Sequence, residues 1–369
     1  MTDLAGRVEA RLTQDDPLFT PIELGEIHCA NRVVMAPMTR SRASPGDLVS
    51  DLHVEYYGAR ADAGLIVTEG TQPSIHGKGY CRTPGLHEAA QAAAWRAVTD
   101  RVHAGGARIV VQLMHVGRVA SRHNKFAEAM TVAPSALRAN VQMYTDDAGM
   151  QDCDLPAALS LAEIPGVVEE YAHAARLARG AGFDGVELHA ASGYLPMQFL
   201  AANSNLRRDA YGGVAANRAR FAVEVIEALC AAIGGGRVGM RICPANPFND
   251  VLDPEPELTY GALLDAIAPL HIAYLHVIRS PIRALDAFAI ARRHYSGPIV
   301  LNDGFRGESA RAAIRARAGD AVSFARHFIG NPDLVRRLRE GLPLAGFDRH
   351  TLYTPGPRGY LDYPQLPVA

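Results

Sequence analysis

Two side chains that can move protons close an otherwise apolar stretch between residues 182 and 200, "GFDGVELHAASGYLPMQFL". The imidazole of His189 can donate a hydrogen bond to a carbonyl or nitro oxygen and draw electron density from a conjugated alkene. The phenol of Tyr194 can protonate the carbon that becomes basic once hydride has arrived. A histidine and a tyrosine at a strand end can also satisfy each other or the backbone, so both interpretations stay open for the isolated pair.

Three further polar residues are suited to the edge of a planar heterocycle. Thr39, Gln112 and Arg241 provide a hydroxyl, an amide and a guanidinium, which match alternating carbonyl and N–H groups such as those of a flavin. An arginine beside the pyrimidine end would stabilise the negative charge that accumulates on reduction. Each residue alone could instead be an ordinary buried polar group with a local partner.

A phosphate group could be held by two residues near the C-terminal third of the chain. Gly304 follows an apolar run in "LNDGF", and Arg326 follows another in "FARHF". Backbone N–H groups and a short helix start often form a phosphate site at these places in a barrel. The alternative is that Arg326 forms a salt bridge across the rim.

The elements that must position these residues alternate between short Val- and Ile-rich runs and longer Ala-rich segments with helical spacing. This alternation is typical of βα units around a parallel sheet. Eight strands are predicted, at residues 32–37, 64–69, 107–113, 185–190, 237–242, 273–278, 298–303 and 321–326. Helices are predicted at 88–104, 162–181, 217–233, 260–268, 285–293 and 308–317. Eight such units predict an α/β (β/α)₈ barrel with its active site at the carboxyl ends of the strands.

Segments outside the βα units have predicted places around the barrel. Residues 19–32 are expected to form a hairpin with its turn at Gly25, closing the barrel floor. Residues 126–160 lack sustained periodicity and are expected to form a long loop over the mouth after the third strand. The Pro- and Tyr-rich tail is expected to wrap the surface and send an aromatic side chain inward. We expect one domain, residues 1–369, with residues 1–16 as a flexible extension.

Composition indicates a small-molecule partner. The 369 residues include 37 basic and 39 acidic side chains without long blocks of either sign, so no attraction to nucleic acid or a membrane surface is expected. No stretch approaches the roughly 20 apolar residues of a membrane span. Five scattered cysteines without a CxxC pair argue against a zinc site and a disulfide framework. We expect a soluble, cytoplasmic protein without a metal; its oligomeric state is left open.

Long colinear runs of the chain resemble the old yellow enzyme family of FMN-dependent ene reductases. They include "NRVVMAPMTRSRA", "VTEGTQPSIHGKGY", "GFDGVELHAASGYLPMQFLAANSNLRRDAYGGVAANRARF", "FARHFIGNPDLVRRL" and "GYLDYP". Thr39 stands where another branch of the family has cysteine, so the chain is similar to the pentaerythritol tetranitrate and N-ethylmaleimide reductase branch. The resemblance implies a noncovalent FMN, NADPH or NADH as reductant, and reduction of activated C=C bonds in enones, enals, maleimides or nitroalkenes.

The resemblance also implies roles for individual residues. His189 would bind the activating group of the substrate, Tyr194 would donate the proton, and Ser192 would be the second activating residue. The residues implied to bind FMN are Pro37, Met38, Thr39, Gly70, Gln112 and Arg241 around the ring, and Asp303, Gly304, Ala325 and Arg326 at the phosphate. Met114 and Tyr353 would line the substrate pocket.

Four positions depart from the family pattern. Ser192 replaces the usual histidine or asparagine and reaches less far, which predicts a weaker electrophilic clamp. Met114 replaces a frequent tryptophan and predicts a wider pocket. Asp303 and Ala325 replace frequent glycines, and Asp303 brings a negative charge near the expected phosphate.

Two other functions stay open from the sequence. One is a flavin-binding barrel of the same family with altered activity, such as a biosynthetic isomerase or a sensor, because of the changes at Ser192 and Met114. The other is a barrel glycosidase that uses Glu187 and Asp303 as its carboxylate pair.

Overall fold

The structure is a computed structural model and describes residues 16–367. The predicted flexible extension at residues 1–16 therefore lies outside the described residues, apart from Asp16. That carboxylate accepts a hydrogen bond from Leu18 N and pairs with Arg311, so the described chain starts at an anchored residue.

Eight parallel strands form the closed barrel that the sequence predicts. The strands of the chain are β1 (Ile22–Leu24), β2 (Ile27–Cys29), β3 (Val33–Met35), β4 (Leu65–Val67), β5 (Arg108–Leu113), β6 (Val132–Ala133), β7 (Gln142–Thr145), β8 (Gly149–Asp152), β9 (Ala157–Ala158), β10 (Gly185–Ala190), β11 (Val238–Ile242), β12 (Tyr274–Ile278), β13 (Ile299–Asn302) and β14 (Ala321–Phe324). The barrel order is β3, β4, β5, β10, β11, β12, β13 and β14, and β14 pairs with β3 to close it. Most barrel positions are buried because helices cover the outer face.

Ten α-helices cover the described part of the chain. They are α1 (Asp51–Gly58), α2 (Ala89–Ala104), α3 (Ile164–Gly180), α4 (Leu195–Leu200), α5 (Ala215–Ile233), α6 (Pro256–Ile267), α7 (Ala287–His294), α8 (Gly307–Arg315), α9 (Arg326–Gly330) and α10 (Leu334–Glu340). The six predicted helices correspond to α2, α3, α5, α6, α7 and α8. Pro165 lies in the first turn of α3, where its missing N–H costs nothing.

The predicted hairpin near the N-terminus is present and lies at the amino ends of the barrel strands. β1 pairs antiparallel with β2, and Gly25 at the turn has φ +58°. A Cβ on Gly25 would lie 2.5 Å from Gly236 O and 2.8 Å from Ala273 Cα, two residues that precede β11 and β12. The close approach and the positive φ together require glycine.

The expected long loop at residues 126–160 contains more regular structure than the sequence indicates. β7 and β8 form an antiparallel hairpin within it, and β6 pairs with β9. The long insertion after the third barrel strand is therefore present, and it contains two short strand pairs that the sequence pattern does not indicate. Tyr144 and Met150, which pair across the hairpin, are both more than half exposed, so the segment carries little of the apolar periodicity that would mark a strand.

Two buried arginines anchor the C-terminal tail beside the barrel mouth. The Arg42 guanidinium donates to the backbone carbonyls of residues 351, 352, 356 and 358. Arg40 donates to Leu352 O and Gly359 O. The tail sends an aromatic side chain inward as expected; it is Tyr360, which the sequence does not single out, and its ring stacks on Tyr56 at 4.0 Å. Arg40 and Arg42 come just after Thr39, a residue predicted to contact the flavin. The segment that carries Thr39 therefore also anchors the C-terminal tail.

We expect Arg42→Met to lower the free energy of unfolding by about 3 kcal/mol, because several tail carbonyls would lose a charged donor. Urea unfolding measures the change, and limited trypsin digestion should cut faster at Arg349 and Arg358. Arg176→Met is the matched control, since its pair with Glu169 is exposed and contributes little. Equal unfolding midpoints and equal tail cleavage in the two variants would show that Arg42 does not anchor the tail.

Candidate active site

The turn after β10 brings together His189 and Tyr194, the two residues predicted to polarise the substrate and donate a proton. His189 is the penultimate residue of β10, and Tyr194 immediately precedes α4. Between them Ser192 and Gly193 have φ +56° and +74°. A Cβ on Gly193 would lie 2.5 Å from Phe248 O, so only glycine allows this turn to pack on the loop after β11. The chain reversal brings the His189 and Tyr194 rings to 5.0 Å between centroids, edge to face.

The hydroxyl of Tyr194 forms a hydrogen bond with the hydroxyl of a second tyrosine. The Tyr80 and Tyr194 oxygens are 3.0 Å apart. Burial, followed by the neighbouring Tyr80, raises the pKa of Tyr194 well above its usual value. The side chain of Asn249 acts in the opposite direction on the pKa of both tyrosines. Tyr194 is therefore a neutral phenol at physiological pH, with a proton available to donate.

His189 is held as a neutral imidazole. Burial, followed by the charge of Arg241, keeps the pKa of His189 well below its ordinary value of 6.5. Arg241 lies directly across the β10–β11 pair from His189. Among the described residues the Nδ1 atom of His189 has no hydrogen-bond partner although it is buried. A buried polar atom without a partner is costly, so this side of the ring is suited to a ligand.

Gln112 and Arg241 point into the barrel lumen and have partners there. Gln112 Nε2 donates to Glu187 Oε1 at 2.7 Å, and Arg241 Nη2 donates to Asn302 Oδ1 at 2.7 Å. The Arg241 Nε atom is buried without a partner among the described residues. This arrangement leaves the Gln112 carbonyl and part of the Arg241 guanidinium available at the carboxyl end of the barrel.

A second group of predicted site residues surrounds a cavity of about 350 Å³. Its lining combines the ends of β3 and β14 with the tail, and includes Met38, Thr39, Ala325, Arg326, Arg349, Leu352 and Tyr353. Pro37 is buried just before this segment. Tyr353 is 58% exposed, so it lies at the rim of the cavity, and its role as a pocket residue stays a prediction.

Gly70 and Met114 are direct neighbours at the ends of β4 and β5. A Cβ on Gly70 would lie 2.5 Å from the Met114 sulfur. Met114 is buried and packs with Tyr194 in one apolar cluster. The methionine that replaces the expected tryptophan is thus adjacent to both the proposed proton donor and the strand end that carries Gly70.

The predicted phosphate residues lie at the ends of β13 and β14. Asp303 and Gly304 both have φ +77°, and the Asp303 carboxylate lies 3.9 Å from Arg326 Nη2. A second arginine, Arg279 at the end of β12, donates through Nε to Asp303 O at 3.3 Å. The carboxylate of residue 303 therefore lies near one cation, and the backbone oxygen of the same residue binds a second, Arg279, which was not predicted from the sequence.

Glu187 does not have the environment of a catalytic acid. Its side chain is fully buried, and the carboxylate accepts hydrogen bonds from Gln112, Tyr274 and His276. Asp303, in contrast, is more than half exposed at the rim. One carboxylate in the lumen and one at the rim do not flank a common substrate position, which contradicts the glycosidase alternative.

Sequence reasoning missed Tyr80, Asn249 and Arg279. Tyr80 lies in the loop after β4, and Asn249 in the loop after β11, where its amide donates to Ser192 O at 2.8 Å. Neither residue is on a predicted strand end. The available signal was weak: Tyr80 closes the matched run "VTEGTQPSIHGKGY", and Asn249 lies in the Pro- and Asn-rich loop "CPANPFND".

The residues present fit a flavin mononucleotide. The unpartnered Nε of Arg241, the free carbonyl of Gln112 and the hydroxyl of Thr39 suit the polar edge of a ring, and the unpartnered atom of His189 stays available to a second ligand. Gly304 and the start of α9 at Arg326 suit a phosphate. A closed (β/α)₈ barrel with these groups at its carboxyl end defines the class of flavin-dependent barrel oxidoreductases.

Comparisons with known proteins identify the family. A sequence model of the NADH:flavin oxidoreductase / NADH oxidase family matches residues 17–345, and the chain belongs to this family. A probable flavin mononucleotide-dependent alkene reductase of Leishmania infantum is 39% identical over 357 residues, covering 95% of this chain and 97% of that protein.

Two solved structures share the fold. The old yellow enzyme homologue from Zymomonas mobilis has a TM-score of 0.92 at 39% identity, covering 95% of this chain and 99% of that chain. Morphinone reductase in complex with tetrahydroNAD has a TM-score of 0.91 at 42% identity, covering 95% and 98%. The resemblance to the old yellow enzyme family is confirmed, and with it the predicted class: an FMN-dependent oxidoreductase with a nicotinamide reductant.

The depressed pKa of His189 predicts a specific acid sensitivity. The unfolded chain binds a proton at this residue below about pH 6.5, whereas the folded chain binds it only at a lower pH, so this contribution to stability is present above pH 6.5 and is lost as pH falls. We expect His189→Asn to reduce the slope of unfolding free energy against pH between pH 6 and 5, up to the single-proton limit of about 1.4 kcal/mol per pH unit. Urea unfolding across this range measures it.

The matched control is His28→Asn, because the His28 side chain is exposed in the folded chain. This variant should keep the slope of the unsubstituted protein. An unchanged slope for His189→Asn as well would refute the neutral, buried imidazole.

Proposed function

We propose that the chain reduces activated C=C bonds in enones, enals, maleimides or nitroalkenes, as a single FMN-binding barrel domain. The observation that carries this proposal is the placement of a neutral imidazole and a neutral phenol within one turn at the barrel mouth. When bound, FMN supplies hydride from N5 to the β-carbon after reduction by NADPH or NADH. The similarity to an alkene reductase supports the reduction of the alkene, and the similarity to a complex with tetrahydroNAD supports the reduction of FMN by a nicotinamide.

In the proposed reaction His189 orients and polarises the alkene. Its neutral ring has one N–H, which donates to the carbonyl or nitro oxygen and withdraws electron density from the conjugated bond. Ser192 is the second, shorter donor, positioned by the turn that Asn249 holds. Because a serine hydroxyl reaches less far than an amide, a bridging water can complete this contact.

Tyr194 is the proposed proton donor to the α-carbon. Its raised pKa keeps it protonated until the substrate becomes strongly basic. Tyr80, 3.0 Å away, can donate to the phenolate that Tyr194 becomes. Tyr80 therefore supports the proton transfer without touching the reacting carbon.

The remaining predicted residues are proposed to hold FMN and shape the pocket. Pro37, Met38, Thr39, Gly70, Gln112 and Arg241 would contact the ring, and Asp303, Gly304, Ala325 and Arg326 the phosphate. Met114 and Tyr353 would face the substrate, with Met114 giving more room than tryptophan. The cavity beside β3 and β14 supports this arrangement.

We propose a cytoplasmic location, which the five free cysteines support. In the described part of the chain, no helix is long and apolar enough to cross a membrane. We expect neither nucleic acid nor a membrane as a partner.

Anaerobic stopped-flow absorbance tests the function. The flavin of the purified protein is reduced with NADPH or NADH and then mixed with 2-cyclohexenone or N-ethylmaleimide. Rapid reoxidation by either alkene supports the proposal, and the same alternation of reductant and alkene in one pocket predicts ping-pong kinetics. Reduction without reoxidation by both alkenes would favour the altered-activity alternative.

We expect Tyr194→Phe to slow reoxidation by 2-cyclohexenone on the order of 100-fold, because the general acid is lost. Flavin reduction by NADPH or NADH should stay within about twofold, since hydride delivery to the flavin needs no proton from this residue. Single-turnover measurements separate the two half-reactions. Tyr171→Phe is the control, because that buried phenol lies on α3. Equal loss of both half-reactions would refute Tyr194 as the proton donor.

We expect Ser192→Asn to tighten the binding of a phenol such as 4-methoxyphenol roughly tenfold, because it places a longer donor beside His189. The backbone tolerates the change, since asparagine is enriched at φ values like +56°. Titration of the flavin absorbance band measures the affinity. Ser192→Ala, which adds no donor, should not tighten phenol binding. An unchanged or weaker phenol affinity for Ser192→Asn contradicts the proposal that residue 192 lies beside His189 at the bound ligand.

A further inference from the structure

A continuous chain of buried hydrogen bonds joins the two side chains proposed to meet the flavin edge. We call it the lumen chain; its members, one from each of six barrel strands, are Gln112, Glu187, His276, Ser323, Asn302 and Arg241. All are buried, and Glu187 and His276 are 0% exposed. Four bonds lead from Arg241 to Glu187, and a fifth joins Glu187 to Gln112.

The chemistry of the groups determines the direction of every bond. Arg241 has only donors, so the Asn302 oxygen faces it and the Asn302 NH₂ faces Ser323 Oγ, at 2.7 Å. Ser323 Oγ therefore accepts from Asn302, and its own hydrogen goes to His276 Nε2 at 2.8 Å, which is nearer than the backbone oxygen of Leu301 at 3.3 Å. Each member of the lumen chain from Arg241 onward therefore donates to the next one, and the series ends at Glu187.

The donor-to-acceptor series that starts at Arg241 ends on the carboxylate of Glu187. His276 Nδ1 lies 2.9 Å from Glu187 Oε2. Because burial lowers the pKa of His276, the ring is neutral, with its hydrogen on Nδ1 and a lone pair on Nε2. Burial alone would raise the pKa of Glu187, but His276, Arg241 and Gln112 outweigh it and lower the pKa. An anion and a cation therefore close the two ends of an aligned series of dipoles.

Tyr274 forms a further hydrogen bond with the Glu187 carboxylate, outside the lumen chain. Its hydroxyl donates to Glu187 Oε2 at 3.1 Å, although the two residues lie on β12 and β10 with β11 between them. Gly239 on β11 makes this possible, because a Cβ there would lie 2.3 Å from the Tyr274 ring. This hydrogen bond contributes to the carboxylate but lies outside the path between Gln112 and Arg241.

We propose that Glu187, His276, Ser323 and Asn302 are positioning residues for FMN, which orient Gln112 and Arg241 at the flavin edge and set the net charge there. The inference rests on the proposed placement of Gln112 and Arg241. With Nε2 engaged by Glu187, Gln112 presents its carbonyl oxygen to a ring N–H. With Nη2 engaged by Asn302, Arg241 is held in one orientation, and the Glu187 carboxylate partly offsets its charge.

Substitutions at Ser323 and at Glu187 break the lumen chain in different ways and predict different consequences. Ser323→Ala removes one hydroxyl, interrupts the chain without changing charge, and should raise the FMN dissociation constant about tenfold. Glu187→Gln removes the anion, so the uncompensated Arg241 should stabilise reduced flavin and shift the midpoint potential to a more positive value. In Glu187→Gln the new NH₂ can also face Gln112 and reverse its amide, which weakens FMN binding.

The experiment is an FMN titration of the apoprotein by fluorescence quenching, together with a midpoint potential of the FMN-loaded protein from equilibrium dye reduction. Tyr274→Phe is the matched control: it removes a donor to the same carboxylate but leaves the chain and the charge intact. We expect its dissociation constant to stay within about twofold and its potential to stay unchanged. Circular dichroism of each apoprotein checks folding, and Ser323→Ala decides the matter if Glu187→Gln does not fold.

Gln112→Ala separates this inference from the proposed function. If Gln112→Ala weakens FMN binding while Ser323→Ala and Glu187→Gln both behave like Tyr274→Phe, the lumen chain has no positioning role and only this inference is overturned. If Gln112→Ala leaves FMN affinity unchanged, the placement of Gln112 at the flavin fails, and the inference fails with it.

Discussion

Closure of the eight-stranded barrel is the constraint on which the site depends. A closed parallel sheet covered by helices removes its lumen from bulk solvent, so every polar side chain that points inward needs a hydrogen-bond partner within the structure or on a ligand. In the lower part of the lumen Glu187 satisfies this condition with three donors. At the carboxyl end the condition is not met, because atoms of His189 and Arg241 remain unpartnered among the described residues. The same rule therefore explains the filled lumen and marks the place where a ligand completes the structure.

The strand ends turn this constraint into a reactive geometry. The register of the strands fixes the positions of the side chains that they carry. A substrate above the strand ends also needs side chains from the turns and loops around it. The turn at Ser192 and Gly193 provides them by reversing the chain in a left-handed conformation, which places Tyr194 over His189. Loops from distant parts of the sequence then add Tyr80 and Asn249. The rigid strands therefore fix the polar side chains at the barrel mouth, and the packed turns fix the position of the proposed proton donor.

The barrel strands could be predicted because they carry continuous Val and Ile runs, typical of strands buried on both faces. Helix α1 could not, since its buried side is made of His53, Tyr56 and Tyr57, which do not produce an apolar period. Helices α4, α9 and α10 are only 6, 5 and 7 residues long, too short for propensity to stabilise them without tertiary contacts. Glu187 had an informative signal, a carboxylate inside an apolar strand, but its partners lie on strands far away in the sequence. Periodicity places a residue on the inner face and does not tell which other inward residue it meets.

The departures from the family pattern are located where the structure can tolerate them. At residue 192 the backbone holds the turn: Ser192 N donates to the Cys243 sulfur and Ser192 O accepts from Asn249. The side chain can therefore change without moving His189 or Tyr194. At residue 303 the extra carboxylate lies near Arg326 and next to a backbone oxygen that Arg279 binds. The positions proposed to face substrate and phosphate thus vary on a fixed frame. The lumen residues beneath them are joined to one another and cannot change singly without leaving a buried polar group unpaired.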